Sequence, residues 1–144
     1  MLSGEYKHTV DSKNRLFIPA KHREELGAAL KIARTPRESC LRIYSISAWE
    51  EFCGKLREKL DGKSADMAMR FYNRNAETVE PDSQGRVTVP SELLKCAGVS
   101  PEHREVVVVG CGGYAEIWSA ANYEKLIEEE NADLISALLD SVGL

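Results

Sequence analysis

The stretch DSKNRLFIP, residues 11–19, is repeated in nearly the same letters as DSQGRVTVP, residues 82–90. The copies lie 71 residues apart, so that Arg15 aligns with Arg86, and the match continues without a gap for 17 residues. A second match, CLRIYSISAWEEF against YAEIWSAANYEKL, follows at an offset of 74, which places three extra residues near GVSPEHR, residues 98–104. Self-similarity at a fixed period indicates a duplicated structural unit. The chain is therefore interpreted as two copies of one unit.

Each copy has the same predicted order of elements. Tyr6, His8 and Val10 alternate with polar residues, which indicates a half-buried strand. The turn SKN or SQG follows, then a short strand, RLFI or RVTV, and then a proline suited to the first turn of a helix. Gly85 accepts positive φ and Asn14 is the next best residue at that place, so one tight-turn geometry is predicted for both copies. A second pair of strands and a helix complete each copy.

The predicted fold class is mainly β with flanking helices (α+β). A unit of about 40 residues buries too little core and leaves open strand edges. Two copies can solve this by interleaving their strands, which predicts one closed barrel with an internal pseudo-two-fold axis. The predicted boundaries are 5–47 for the first repeat, 48–75 for connecting helices, 76–119 for the second repeat and 120–144 for a C-terminal helix.

The charge of the chain is unevenly distributed. The net charge of −4 by itself argues against nucleic-acid binding. Residues 1–72, however, hold 14 Lys and Arg against 10 Asp and Glu, a net charge of +4, whereas residues 73–144 hold 5 against 13, a net charge of −8. Such asymmetry indicates a basic working face and an acidic outer one.

The sequence has no pattern typical of an enzyme, a metal site or a cofactor site. Its four cysteines form no CxxC pair, and the three histidines lie at no ligand spacing from them, so no metal is expected. No catalytic triad, phosphate-binding glycine loop or pair of acid–base carboxylates is found, so neither catalysis nor a cofactor is expected. The longest apolar run is too short to span a membrane and no secretion signal is found, which predicts a cytoplasmic protein.

The doubled Asp-x-x-x-Arg motif, followed by an apolar residue and proline, resembles the AbrB/SpoVT swapped-hairpin DNA-binding domain. Its two tandem copies, the opening MLSGEYKHTVDSKNR and the later EIWSAANYEKL are similar to the MraZ family over essentially the whole chain. The resemblance implies a bacterial transcriptional regulator that assembles into a homo-oligomeric ring. It further implies binding to double-stranded DNA at short direct repeats upstream of the division and cell-wall gene cluster, and therefore association with the nucleoid.

The repeated arginines are the first candidates for contact with DNA. The resemblance places the family motif on Asp11 and Arg15 in copy one and on Asp82 and Arg86 in copy two. A surface ion pair within each motif is worth only about 0–1 kcal/mol. A planar guanidinium can instead meet phosphate or guanine in two hydrogen bonds. We therefore expect Arg15 and Arg86 to contact DNA, and the two aspartates to hold the turns by accepting backbone N–H bonds.

Copy one has more cations near its turn than copy two. Lys13 is expected to contact phosphate, Lys7 is a further candidate, and Asn14 belongs to the same turn. The resemblance also shows departures: Asn14 replaces the usual glycine, and Ser83 stands where lysine is common. Copy one is therefore predicted to make more of the DNA contacts, while Gly85 is assigned a structural role in its turn.

The sequence leaves one alternative function open. An antitoxin-like or other protein-interaction module with the same barrel and no specific DNA target is the alternative function. DNA affinity that falls steeply with salt would favour the regulator over this module.

Arg70 and Arg74 share one helix face and are interpreted as solvated. The C-terminal segment contains residues that could form an apolar stripe, namely Leu126, Ile127, Leu134, Leu138 and Leu139.

Overall fold

The computed structural model describes residues 1–144 and contains eight strands and six helices. Copy one comprises β1 (Glu5–Thr9), β2 (Arg15–Phe17), α1 (Ala20–Leu26), β3 (Leu30–Arg34), β4 (Leu41–Ser45) and α2 (Ile46–Lys59). Helix α3 (Gly62–Arg74) leads to copy two, which comprises β5 (Ala76–Val79), β6 (Arg86–Thr88), α4 (Ser91–Cys96), β7 (Glu105–Gly110), β8 (Ala115–Ser119) and α5 (Ala120–Glu129). Helix α6 (Ala132–Ser141) follows. The predicted α+β class is confirmed.

Six strands form one antiparallel sheet in the order β1-β7-β8-β4-β3-β5. Exchanging every strand for its counterpart in the other copy gives the same order read backwards, so the sheet has an internal pseudo-two-fold axis. At its centre β4 pairs with β8, and Arg42 lies opposite Glu116, which is its equivalent position in copy two. Strand β1 pairs with β7 of the other copy, and β5 pairs with β3 in the same way. The two copies are therefore interleaved, as predicted.

Strands β2 and β6 form a separate antiparallel ribbon on the same axis. Leu16 lies opposite Val87 at the centre of the ribbon, and these two residues are also equivalent between the copies. The prediction of a closed barrel is wrong, because β1 and β5 are the free edges of the six-stranded sheet and the ribbon pairs with neither. Each ribbon strand has three residues and pairs only with its counterpart, so the hydrogen-bonded ladder does not continue around the core.

The ribbon contributes to the main hydrophobic core. That core is a cluster of 19 buried residues from the sheet, the ribbon, the short helices α1 and α4 and the segments between them. Leu16 and Val87 belong to it and are completely buried. The ribbon is therefore fixed to the body of the protein by its inner side, and only its outer side is free.

The insertion between the copies is distributed differently from the prediction. Leu30 and Val106 are equivalent, because each pairs with the serine that ends the next strand, Ser45 or Ser119. Their offset is 76 residues, compared with 71 at the ribbon and 74 at the two serines. Copy two therefore has five extra residues between α4 and β7 and two fewer in the β7–β8 turn.

The C-terminal segment 120–144 contains two helices rather than the single helix that the sequence predicts. Asn131 separates them, because its side chain accepts a hydrogen bond from the backbone N–H of Leu134 at 3.0 Å and so caps α6. All residues from Ile127 onward are exposed. None of the six helices combines the length and apolar character needed to span a membrane.

Candidate nucleic-acid interface

The first turn is held by the carboxylate of Asp11. Its Oδ1 atom accepts hydrogen bonds from the backbone N–H groups of Lys13, at 2.9 Å, and Arg15, at 2.8 Å. Its Oδ2 atom accepts a hydrogen bond from the side-chain Nε of Arg15 at 2.6 Å. The backbone N–H of Asn14 donates to the Asp11 carbonyl at 3.0 Å. One carboxylate therefore fixes both the turn and the direction of the arginine side chain.

The second turn repeats this geometry around Asp82. Its Oδ1 atom accepts from the backbone N–H groups of Gln84 and Arg86, each at 2.9 Å, and its Oδ2 atom accepts from Arg86 Nε at 3.0 Å. The backbone N–H of Gly85 donates to the Asp82 carbonyl at 2.9 Å. The two turns therefore make the same set of hydrogen bonds.

The electrostatics of both aspartates follow from these contacts. The pKa of Asp11 lies below its ordinary value chiefly because the backbone N–H of Arg15 donates to the carboxylate, and the Arg15 side chain lowers it further. The pKa of Asp82 is lowered in the same way by the backbone N–H of Arg86. Both carboxylates are therefore ionised at neutral pH and hold the arginines by charge as well as by geometry.

Each turn also needs a residue in the left-handed region. Asn14 has φ 60° and Gly85 has φ 80° at the equivalent place. The carbonyl of Asn14 accepts from Val89 N–H at 2.8 Å, and that of Gly85 accepts from Ile18 N–H at 2.9 Å, so each turn is tied to the opposite copy. A Cβ on Gly85 would lie only 2.7 Å from Arg23 Cζ. A side chain at this place would have to displace the Arg23 guanidinium, so space as well as φ favours glycine.

The outer side of the β2–β6 ribbon, here called the ribbon face, carries Arg15, Phe17, Arg86 and Thr88. Arg15 pairs with Thr88 and Phe17 with Arg86, and alternation along each strand directs these four side chains away from the core. The side chains of Arg15 and Arg86 are 30% and 29% exposed. Only the Nε atom of each guanidinium is hydrogen-bonded within the chain, so the two terminal nitrogens remain free for a ligand.

The two predicted lysines lie in different surroundings. Lys13 is exposed at the tip of the first turn, where the second turn has the neutral Gln84. Lys7 lies on β1 and lines a groove beside α5 together with Glu5 and Glu105. The structure therefore brings Lys13 next to Arg15 and the ribbon face, and it does not bring Lys7 there.

Two residues of this surface, Phe17 and Arg104, were missed in the sequence. Phe17 is 38% exposed, and the Arg23 guanidinium lies 5.5 Å from the centroid of its ring. Arg104 donates from Nη1 to the Asp11 carbonyl at 2.7 Å, so the long loop of copy two buttresses the first turn. The two-residue spacing from Arg15 could have identified Phe17. Arg23 and Arg104 are brought to the turns only by tertiary packing, which no local pattern reveals.

One cluster away from the ribbon has the composition of a metal site. Ligand atoms of Glu38, Cys40 and Glu116 lie within 4.8 Å of one another. The Arg42 guanidinium lies 3.7 Å from each of the two carboxylates, and burial raises the pKa of the Cys40 thiol well above its usual range. A cation already lies between the carboxylates and the thiol stays protonated. This cluster is therefore better suited to stabilising the pairing of β4 with β8 than to holding a metal.

The duplication and the paired turns can be compared with known families. A profile of the family described as "MraZ protein, putative antitoxin-like" matches residues 1–71 and 73–140, close to the two halves of the chain. The chain belongs to the MraZ family. The resemblance inferred from the repeated motif is thereby confirmed.

Relatives in the MraZ family match this chain from end to end. One from Caldicellulosiruptor bescii is 38% identical and one from Halothermothrix orenii is 35% identical, each over 147 aligned positions that cover 100% of both chains. One from Moorella thermoacetica is 38% identical over 143 positions, covering 99% of this chain and 96% of its own. All three bear the name Transcriptional regulator MraZ, so the MraZ family is one of transcriptional regulators.

Proposed function

We propose that this chain is a sequence-specific DNA-binding regulator whose ribbon face enters a groove of double-stranded DNA. The observation that carries the proposal is the outward pair of guanidinium groups, Arg15 and Arg86, each held by an aspartate and each with free terminal nitrogens. Their residues are diagonal neighbours across the ribbon, a position at which Cα atoms lie roughly 7 Å apart. The name of the relatives, transcriptional regulator, supports the same function.

Both repeats contribute to the proposed reading unit. Residues 5–47 supply β2 and residues 76–119 supply β6, and neither strand pairs with any other partner. The ribbon therefore requires both repeats. The segments 48–75 and 120–144 lie outside the ribbon and are proposed to serve assembly.

The shape of the ribbon suits the major groove. That groove, about 12 Å wide, admits a two-stranded β-ribbon, and an arginine fork can bind guanine in two hydrogen bonds. In this arrangement Arg15 contacts a base or phosphate, and Lys13 and Asn14 contact the adjoining backbone. Arg86 makes the smaller contribution, because Gln84 beside it is neutral. Lys7 contacts phosphate only if the DNA reaches the groove beside α5.

Assembly extends this interface. As the family resemblance implies, the proposed target is a set of short direct repeats upstream of the division and cell-wall gene cluster, bound by a ring of identical chains associated with the nucleoid. Several ribbons on one ring would bind tandem repeats about 10²–10⁴-fold more tightly than one ribbon binds one repeat, because every binding event after the first is intramolecular.

The test is a gel-shift titration of Arg15→Ala on tandem repeats from upstream DNA. Loss of one two-pronged contact costs about 1–3 kcal/mol, roughly a five- to 150-fold loss of affinity per ribbon, and Arg86→Ala is expected to lose less. Arg57→Ala on α2, an exposed arginine far along the chain from the ribbon, is the matched control. Size-exclusion chromatography should show all three variants assembled like the wild type. Binding by Arg15→Ala that equals the control at moderate salt would refute the proposal.

An antitoxin-like or other protein-interaction module is the second candidate, because the family that this chain matches is described as antitoxin-like. The two functions differ in their response to salt, because phosphate contacts release counterions on binding. A regulator should lose DNA affinity steeply between about 50 and 200 mM salt. An assembled chain that shifts no DNA at either concentration would favour the interaction module.

A further inference from the structure

The ribbon face is symmetric in its arginines and asymmetric in its other two residues. The pseudo-two-fold axis exchanges Arg15 with Arg86, so both halves of the face have the same guanidinium group. The axis also exchanges Phe17 with Thr88, so one corner has an aromatic ring and the opposite corner has a small hydroxyl-bearing side chain. The exchange of Phe17 for Thr88 is therefore the only difference among the four side chains of the face.

Phe17 is the only aromatic side chain of this chain that is exposed. Its exposed fraction is 38%, whereas every other phenylalanine, tyrosine and tryptophan is buried or half-buried. Leu16, the residue before it, is the one that packs into the core. Phe17 lies opposite Arg86 across the ribbon, where side chains of paired residues are direct neighbours. The ring is therefore exposed at the place where a ligand of the ribbon is expected.

Two neighbours hold the Phe17 ring in a defined direction. The His8 ring contacts it edge to face, with a centroid distance of 5.5 Å and an angle of 60° between the planes. On the Arg23 side, the guanidinium carbon lies 5.5 Å from the Phe17 centroid. The equivalent positions of copy two are Val79 and Leu94, so neither support is repeated there. A side chain that is held before binding loses less entropy when a ligand binds.

The major groove of double-stranded DNA offers one apolar group to such a ring. That group is the 5-methyl group of thymine, and phenylalanine is among the side chains that contact it. Alternate residues of a strand lie about 6.8 Å apart, which equals about two base steps along one strand of DNA. A ribbon whose Arg15 contacts a base therefore places Phe17 within about two base pairs of it.

We propose that Phe17 contacts the methyl group of a thymine within about two base pairs of the base that Arg15 contacts. This inference rests on the proposed function and deepens it, because it names a base in the target. Lys13 at the turn contacts phosphate, which carries no sequence information. Phe17 is then the residue that distinguishes the two orientations of the ribbon, since exchange of Arg15 with Arg86 changes nothing. Direct repeats require this distinction, because every ribbon must bind its repeat in the same direction.

Contact with a second protein is the other use of an exposed ring. The carboxylates nearest to the ribbon face are Asp11 and Asp82, and each is already engaged by an arginine of its own turn. The cations around the ring, among them Arg23 and Arg86, favour a ligand rich in phosphate. DNA is therefore the favoured partner of Phe17.

The test combines variants of the full-length protein with altered DNA. Each thymine of the tandem repeats is replaced in turn by deoxyuridine, at the same place in every repeat, which removes the methyl group and keeps every hydrogen-bonding group. At one position the wild type is expected to lose about four-fold in affinity per repeat, the effect of burying one methyl group. Phe17→Ala, and Phe17→Thr, which introduces the residue of copy two, should bind the thymine and deoxyuridine forms of that position equally. Fluorescence anisotropy titrations measure these affinities.

The matched control is Thr88→Ala, which changes the equivalent residue on the same face. It should keep the methyl dependence of the wild type, and circular dichroism should show every variant folded, since both side chains are exposed. Loss of the methyl dependence in Thr88→Ala as well would overturn the assignment to Phe17.

The remaining outcomes separate this inference from the proposed function. A methyl dependence that persists in Phe17→Ala, or a wild type that responds to no deoxyuridine, overturns the thymine contact. In either case, loss of DNA binding in Arg15→Ala would still support the regulator. A wild type that binds no upstream DNA would overturn the proposed function and this inference together.

Discussion

The two turns of the molecule share one backbone geometry and offer two different surfaces. Asp11 and Asp82 accept the same set of backbone and guanidinium hydrogen bonds. The tip of the first turn is Lys13, however, whereas the second turn has Gln84. Duplication has therefore kept the contacts that hold each turn and has changed the groups that the turn presents to a ligand.

The divergence continues into the ribbon and the short helices. Phe17 of copy one corresponds to Thr88, and Arg23 corresponds to Leu94, which is 3% exposed. Copy one therefore has an arginine over a surface aromatic ring at the position where copy two has a leucine of the core. Copy one has a basic and aromatic surface, and copy two has a smaller and more neutral one, so the pseudo-two-fold symmetry of the backbone does not extend to the chemistry.

The largest expected loss of stability comes from substituting Leu16 or Val87, which lie on the pseudo-two-fold axis, where the two copies are most alike. Leu16→Ala should lower the free energy of unfolding by about 2–5 kcal/mol, because it leaves a cavity in the core. Val87→Ala removes less volume and should cost about 2 kcal/mol. Urea unfolding measures both. Phe17→Ala, on the outer side of the same strand, is the control, and a loss from Leu16→Ala no larger than the control's would show that the ribbon does not share the core.

The repeated sequence predicted the fold as far as local patterns reach. Equal spacing of turn, strand and helix signals in both copies predicted the α+β class and the interleaving. The closed barrel could not be excluded, because whether β1 reaches β5 depends on the twist and length of strands that the sequence does not specify. The break at Asn131 was missed because the apolar residues on both sides of it continue with helical spacing.

Residues of the site that follow a local pattern were identifiable in the sequence. The turns around Asp11 and Asp82 depend on neighbours within four residues, so the motif contained them. Arg23 reaches the second turn from helix α1, beside Gly85. Arg104 reaches the first turn from the long loop of copy two, where it donates to the Asp11 carbonyl. Lys7 is near the first turn in the sequence, but it faces α5, because β1 pairs with β7 rather than with β2.

A second prediction exchanges the left-handed residues of the two turns. In Gly85→Asn, φ stays tolerable, but the new Cβ would lie 2.7 Å from Arg23 Cζ and displace the hydrogen bond from Arg23 Nε to the Ile18 carbonyl. Loss of that bond should cost about 1 kcal/mol. The reverse change, Asn14→Gly, should cost less than about 0.4–1 kcal/mol, because the entropy that glycine adds to the unfolded chain is partly offset by the ease with which it adopts a left-handed φ. Thermal unfolding measures both changes.

The Arg23→Ala background identifies the cause of the Gly85 effect. If the guanidinium is the obstacle, Gly85→Asn should lose most of its cost in that background, while Asn14→Gly should be unaffected. Equal costs of Gly85→Asn in both backgrounds would show that the strain lies in the backbone instead.

The smallest expected effect concerns the pH dependence of the two turns. Both aspartates have a pKa below the ordinary value in the folded chain, so their stabilising contribution is full above the unfolded pKa of about 3.9. It is lost as pH falls through the lower folded pKa. The stability difference between the wild type and Asp11→Asn with Asp82→Asn should therefore be present at pH 5–7 and disappear at the acid end. Urea unfolding across this range measures it.

The carboxyl titration of Asp11 by NMR then separates the backbone from the arginine. The largest cause of the lowered pKa is the backbone N–H of residue 15, which alanine retains, so Arg15→Ala should raise the Asp11 pKa only part of the way to its ordinary value. The same reasoning holds for Arg86→Ala and Asp82, where the Nε contact is longer, 3.0 Å against 2.6 Å, and the change should be smaller. A full return to the ordinary pKa would mean that the ion pair itself shapes the turn. A partial return would show that the turn forms without the guanidinium groups, which supports their role in binding a ligand.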